Sequence, residues 1–372
     1  MKRCFFFLGS LVMLAGQAQA QKIDLVRAEN ANPLAAGTTH SLFIHKGTIY
    51  AAGQNTMGQL GVVGTPQSNK ALEAGEGNYM SVSNKSYTTV ALRADGSIWG
   101  WGYNNEGQAG IGTKARQNTP ARIGNDTDWV SVSAGEMHVM GVKRNGTLWA
   151  WGKNTAQQFG IGVRPDFSAV PLQIGKDFTW KKVSVGFSYT LAIKKDGTLW
   201  AWGSNASGML GNGGTTAEPI PFQIRTDQDW RTIEAGQFHS MAIKNNGTLW
   251  AWGANENGQL GIGSSVAQPS PVQVGSDQWK AISCGQKHSL GIKQDGTLWT
   301  WGAITGGLGK DMQRKPTPVQ VGTFTNWAAV AAGHLHSLGS RDDGSIWAWG
   351  DNTNGALGVG NNVYQFVPVQ VK

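Results

Sequence analysis

Between His239 and Gly253 the chain reads H-S-M-A-I-K-N-N-G-T-L-W-A-W-G. Two short apolar runs flank a polar break at 244–247, the pattern of two strands joined by a tight turn. Asn246-Gly247 predicts a two-residue type I′ turn, because both central residues of that turn need positive φ. Pairing outward from it sets Ile243 opposite Trp250 and Met241 opposite Trp252. Ala242 with Ala251, and Ser240 with Gly253, then fall on the other face, since side chains alternate along a strand. On this register one face is large and apolar and the other nearly bare. Such a hairpin needs a neighbour that presents small residues, and a copy of itself is one.

The copies are present. The same hairpin recurs around Asp95-Gly96, Asn145-Gly146, Asp196-Gly197, Asp295-Gly296 and Asp343-Gly344, with a worn version at Lys46-Gly47. The closing glycines Gly53, Gly102, Gly152, Gly203, Gly253, Gly302 and Gly350 are spaced by 49, 50, 51, 50, 49 and 48 residues. All 17 tryptophans obey the repeat: twelve sit in the W-x-W arms, and Trp129, Trp180, Trp230, Trp279 and Trp327 open a strand of small residues. A period near 50 with four strand-like segments per unit predicts an all-β, seven-bladed β-propeller of four-stranded antiparallel blades. It fills residues 21–372 as a single domain and overrides the two or three domains that length alone suggests.

Each later unit carries a P-x-Q-[IV] strand, as at Pro171–Ile174 and Pro271–Val274, and the last copy, Pro368–Val371, has no unit after it. The first unit lacks that strand at its start. The expectation is that the C-terminal strand completes the N-terminal blade and closes the ring, removing open edges. Blade 2 departs from the pattern, with Lys85 where the other units have Gly and Thr88 where five of them have His and one has Tyr189.

Residues 1–20 read as a cleavable signal peptide: Lys2 and Arg3, an apolar run from Phe5 to Ala15, then Ala18-Gln19-Ala20 before Gln21. The expected location is secreted or periplasmic, with no membrane span. Formal net charge is +8, and loss of Lys2 and Arg3 leaves 29 bases against 23 acids, or +6. The bases are dispersed, often as one Lys or Arg before each turn, such as Lys143, Lys194, Lys244 and Lys293. That argues against nucleic acid, which requires concentrated charge, and reads as an exposed strand end. Of two cysteines only Cys284 lies beyond the leader, so packing, not a disulfide, must hold the ring.

His40, His138, His239, His288 and His336 share one repeat position. Five histidines on separate blades cannot converge within ~2.3 Å of one zinc ion. They are expected to bond a backbone group in the adjacent Gly turn. Asn55, Asn104, Asn154, Asn205, Asn255 and Asn352 are expected to tie down loops through their amides. No G-x-S-x-G elbow, phosphate loop or H-E-x-x-H motif occurs, and neither a catalytic set, a cofactor site nor a metal site is assigned. The loops 65–71, 113–119, 163–170, 212–218, 264–270 and 310–316 differ in every unit. They should gather on one rim, where binding lives on a rigid scaffold. Candidate partner-binding residues there are Lys114, Arg116, Arg164, Asp166, Phe167, Glu218, Gln268, Lys310, Arg314 and Lys315.

The motif His239-Ser240, Ala242-Ile243, Asn246-Gly247, Leu249-Trp250, Trp252-Gly253, Asn255, Gly258-Gln259-Leu260-Gly261 resembles the repeat of the regulator of chromosome condensation family, over residues 30 to 372. The resemblance implies a seven-bladed propeller and leaves function to sites grafted on it. The expectation is a non-enzymatic, monomeric binding scaffold with a protein partner. The alternative, guanine-nucleotide exchange as in the founding member, is disfavoured by the leader and by a spacing that leaves no room for a wedge insertion.

Overall fold

A computed structural model describes residues 31–162, 165–303, 306–310 and 313–372. Every element among them is a β-strand. Blade 5 shows the plan: Trp230–Ala235, His239–Lys244, Thr248–Gly253 and the start of Gln268–Cys284 pair in that order, all antiparallel. Gln268–Cys284 runs on as the first strand of blade 6, which is why two blades form one continuous seven-stranded sheet. With the other five four-stranded sheets, this makes seven blades.

The hairpin register is offset by one residue from the sequence expectation. Trp250 lies opposite Ala242, Trp252 opposite Ser240, and Met241 opposite Ala251. Asn246 does not take positive φ, whereas Gly247 does, at 85°. Gly247 N–H bonds the Lys244 carbonyl at 2.9 Å. The connection is therefore a three-residue loop, a tight turn followed by glycine in the left-handed region. The two-residue turn expected everywhere occurs in blade 1 alone of the seven, where Lys46 and Gly47 both have positive φ and Phe43 faces Tyr50. A one-residue offset exchanges the faces. One face of blade 5 pairs each indole with a small residue, and the other carries Met241, Ile243, Leu249 and Ala251. Neither is bare, so adjacent blades interlock apolar face to apolar face, as where Trp252 packs with Leu191, Leu199 and Ala201 of blade 4.

Ring closure also differs from the expectation. The C-terminal strand Gln365–Gln370 pairs with Ile346–Gly350 inside blade 7. Blade 1 is complete by itself, from Leu34–Ala36 to Gln67–Gly75. The P-x-Q strand is the last strand of a blade and not the first, so no strand was missing. Blades 7 and 1 meet as whole sheets, with Leu34, Phe43, Leu338, Leu357 and Val371 in one core.

Candidate functional site

Each junction is fastened by side chains that the repeat supplies. His239 Nε2 lies 2.9 Å from Ser289 Oγ of the next blade, and that hydroxyl donates to the Gln259 carbonyl at 2.8 Å. A hydroxyl has one proton, so His239 is the donor and carries its proton on Nε2. The same pin joins His138 to Thr190, His288 to Ser337 and His336 to Ser41. His40 meets the Asn84 amide instead, and Tyr189 donates its hydroxyl to the His239 carbonyl. The histidines thus fasten blades to one another. The backbone bond of the glycine turn comes from the Gly236 N–H to the His239 carbonyl, not from the ring. Burial holds His40, His138, His239 and His288 down at about 3 and His336 at about 4, so all are neutral at pH 7.

The second indole of the arm reaches back in the same way in blades 2 to 6. Trp252 Nε1 donates to the Met209 carbonyl of blade 4 at 2.8 Å, and Trp301 to Gln259 of blade 5 at 2.9 Å. Trp250 binds within its blade, to Thr248 Oγ1. The lysines before the turns are not exposed strand ends. Lys244 is 8% exposed, lies over Trp230 and Trp250, and pairs with Asp229 at 3.1 Å. Lys143, Lys194 and Lys293 repeat the arrangement. An ammonium between two π faces and a carboxylate loses little by burial.

Asn255 ties its loop as expected, donating to the Ser264 and Val266 carbonyls while its oxygen accepts from Leu260 N–H. This places the variable loops within blades, between third and outer strands. They emerge beside the loops joining first and second strands, since Ala254 N–H bonds the Phe238 carbonyl. Gly253, with φ of 101°, permits that approach, because a Cβ there would sit 2.7 Å from the same carbonyl. Both loop sets therefore occupy one face of the ring.

The candidate rim residues lie on that face but spread around its circumference. Lys114 sits over the Phe167 ring at 3.5 Å and pairs with Glu106 at 3.8 Å. Arg116 and Arg314 brace neighbouring blades by donating to the Thr56 and Glu256 carbonyls. Glu218 accepts from Asn212, Gln268 donates to Val266, and the Asp166 carbonyl accepts from Asn154 N–H. Lys310 is exposed, and Lys315 opens the outer strand of blade 6. Arg164 lies outside the described residues.

Sequence reasoning missed the loops at the channel mouth. Lys85, Tyr87, Glu136, Phe187, Gln237, Gln286 and His334 surround a cavity of about 330 Å³ on this face. Their signal was available: no two blades carry the same pair of residues after the repeated glycine. Apolar groups lie exposed on the same face, among them Val63 (71%), Val266 (65%), Val363 (64%), Leu335 (44%) and Phe238 (37%).

Among curated proteins, the chain is 29% identical over 198 residues to the ultraviolet-B receptor UVR8 of Arabidopsis thaliana, covering 52% of this chain and 34% of that one. It is 31% identical over 114 residues to the human X-linked retinitis pigmentosa GTPase regulator, covering 29% and 11%. The chain thus spans about a third or less of these relatives. Human WBSCR16 superposes with a TM-score of 0.79 at 20% identity, covering 87% of this chain and 94% of that one. Prp20p of Saccharomyces cerevisiae superposes with a TM-score of 0.78 at 20% identity, covering 94% and 89%. Two models of the regulator of chromosome condensation (RCC1) repeat match, one at residues 95–142, 196–243, 246–292 and 343–372, the other at 81–108, 129–158, 180–208, 230–259 and 327–356. Together they cover more than half of the sequence at the period of the blades, and the chain belongs to the RCC1 repeat family.

Proposed function

We propose that this propeller is a non-enzymatic scaffold that binds a protein partner through its loop-bearing face. The observation that carries the reading is the arc of exposed apolar side chains on blades 5, 7 and 1: Phe238, Val266, Leu335, Val363 and Val63. Apolar groups held out on a rigid frame mark interaction surfaces. The relatives support the reading only in kind, since a GTPase regulator and a light receptor share the repeat. Residues 1–20 support export, which intact-mass measurement tests: the mature chain should begin at Gln21.

The test is capture of partners by the tagged full chain from its own cells and medium, compared with a variant carrying V63S, F238S, V266S, L335S and V363S. The variant should keep its circular-dichroism spectrum and lose the captured protein. A partner retained undiminished overturns the reading. Point changes are preferable to replacing whole loops. Gly112, Gly213, Gly263 and Gly360 within the loops donate N–H bonds to the next blade, so deletion would also loosen the ring.

A further inference from the structure

The first strands of the blades line a central channel, and the channel is blocked. Lys85, from the blade that departs from the repeat, reaches across the axis to the Ala235 carbonyl of blade 5 and lies 4.0 Å from Glu234. Lys85, Ala36, Cys284 and Ala332 border both the mouth cavity on the loop face and a second cavity of about 660 Å³. The second opens on the opposite face, where the hairpin turns lie. It is a blind cup with Lys85 in its floor.

The lining of this cup is asymmetric. The residue after the strand-opening aromatic is Met80, Val130 and Ala328 in blades 2, 3 and 7, but Lys181, Arg231 and Lys280 in blades 4, 5 and 6. Lys182 adds a further cation. Lys182 Nζ donates to Thr232 Oγ1 at 2.8 Å, and Arg231 donates to the Trp279 carbonyl at 2.9 Å, which holds both at the wall. Among the described residues, five cationic side chains and one carboxylate, Glu234, line the cup. The nearby Asp229 and Asp277 pair with Lys244 and Lys293.

Deeper in, four serines form a ring. Ser83, Ser133, Ser184 and Ser283 each accept a backbone N–H from the next blade, at 2.9, 3.1, 2.9 and 3.0 Å. A serine that accepts in this way still has its own proton to donate. These four protons have no protein acceptor among the described residues. The wall thus offers oriented hydroxyl donors below a crescent of cations and, among the described residues, no aromatic plane for a base to stack on.

We propose that the cup binds a compact multivalent oxyanion, a small molecule bearing several phosphate or carboxylate groups. Cationic groups in a concave site concentrate such ligands, and charge-assisted bonds are the strong ones. The site faces away from the loop-bearing face and stands independently of the function proposed there.

Calorimetric titration of the full chain with inorganic tripolyphosphate and, separately, citrate tests the site. One equivalent of either should bind, tripolyphosphate alone assigning phosphate and citrate alone carboxylate. R231A/K280A, both at exposed positions, should weaken binding at least tenfold, R231K/K280R should restore it, and K114A/R116A on the other face should leave it unchanged. Failure of both anions to bind, or equal weakening by the two alanine pairs, overturns the proposal. Retention of partner capture by R231A/K280A keeps this outcome separate from that of the loop face.

Discussion

Blade 5 holds every repeat residue, while blade 2 lacks two and the blade after it lacks a third that belongs with them. In blade 5, Gly236 leaves room for His239: a Cβ on that glycine would lie 2.9 Å from the imidazole. His239 then pins Ser289 of blade 6. In blade 2 the corresponding residues are Lys85 and Thr88, and the next blade presents Val139 where a hydroxyl is needed. A histidine at 88 would have no partner for its Nε2 proton. Thr88 turns inward instead and donates to the Tyr103 carbonyl. Without the imidazole, position 85 accepts a side chain, and that side chain closes the channel. The change in blade 2 is one substitution spread over two blades: a junction bond is given up and an axial plug is gained.

The comparison is broken most severely by removing what both blades keep. W252A, or W101A in blade 2, deletes a fully buried indole whose N–H reaches the preceding blade. Each should cost about 3–5 kcal/mol in urea unfolding. Acid separates the blades next. The five histidines are neutral when folded and charge near 6.5 when unfolded, so their folded values lie below their unfolded ones. No penalty applies above pH 6.5. As pH falls from 6.5 towards 3–4 the unfolded chain takes up protons first, and stability drops by about 1.4 kcal/mol per pH unit for each histidine. Blade 2 contributes nothing to this slope. Urea titrations at pH 7, 5.5 and 4.5 should show it, and an unchanged midpoint would refute the pinned-histidine account.

Rebuilding the missing pin is a sharper test. T88H alone should destabilise by about 1–3 kcal/mol, the cost of a buried unpaired donor. Adding V139S and K85G should recover most of it, because only then do space and partner both exist. Additive losses would show that the three positions are not coupled. The smallest effect is expected at the aromatic cage: K244M should cost about 1 kcal/mol, measured against wild type in low and high salt.

The repeat, the blade number and the loop-tying asparagines were legible because each rests on a spacing or a local bond. The turn was not. Asn-Gly serves a two-residue loop and also a longer one that needs positive φ at glycine alone, and these differ by one residue of register. The lysine cage was hidden for a similar reason: Lys244 and Asp229 are 15 residues apart in sequence, and only the pairing of first and second strands makes them neighbours. The variable loops gather on one face, as their shared place in the repeat required. The channel mouth and the cup were missed because they assemble from single positions on seven strands.

Because Gly360 N–H binds the Asn69 carbonyl across blades 7 and 1 at 2.7 Å, as Gly263 binds Pro316 across blades 5 and 6 at 2.8 Å, the circle has no distinguishable seam. Every blade is contiguous in the chain. A circular permutant with a linker joining residues 372 and 31 and new termini at 126 or 325 should therefore assemble the same seven sheets.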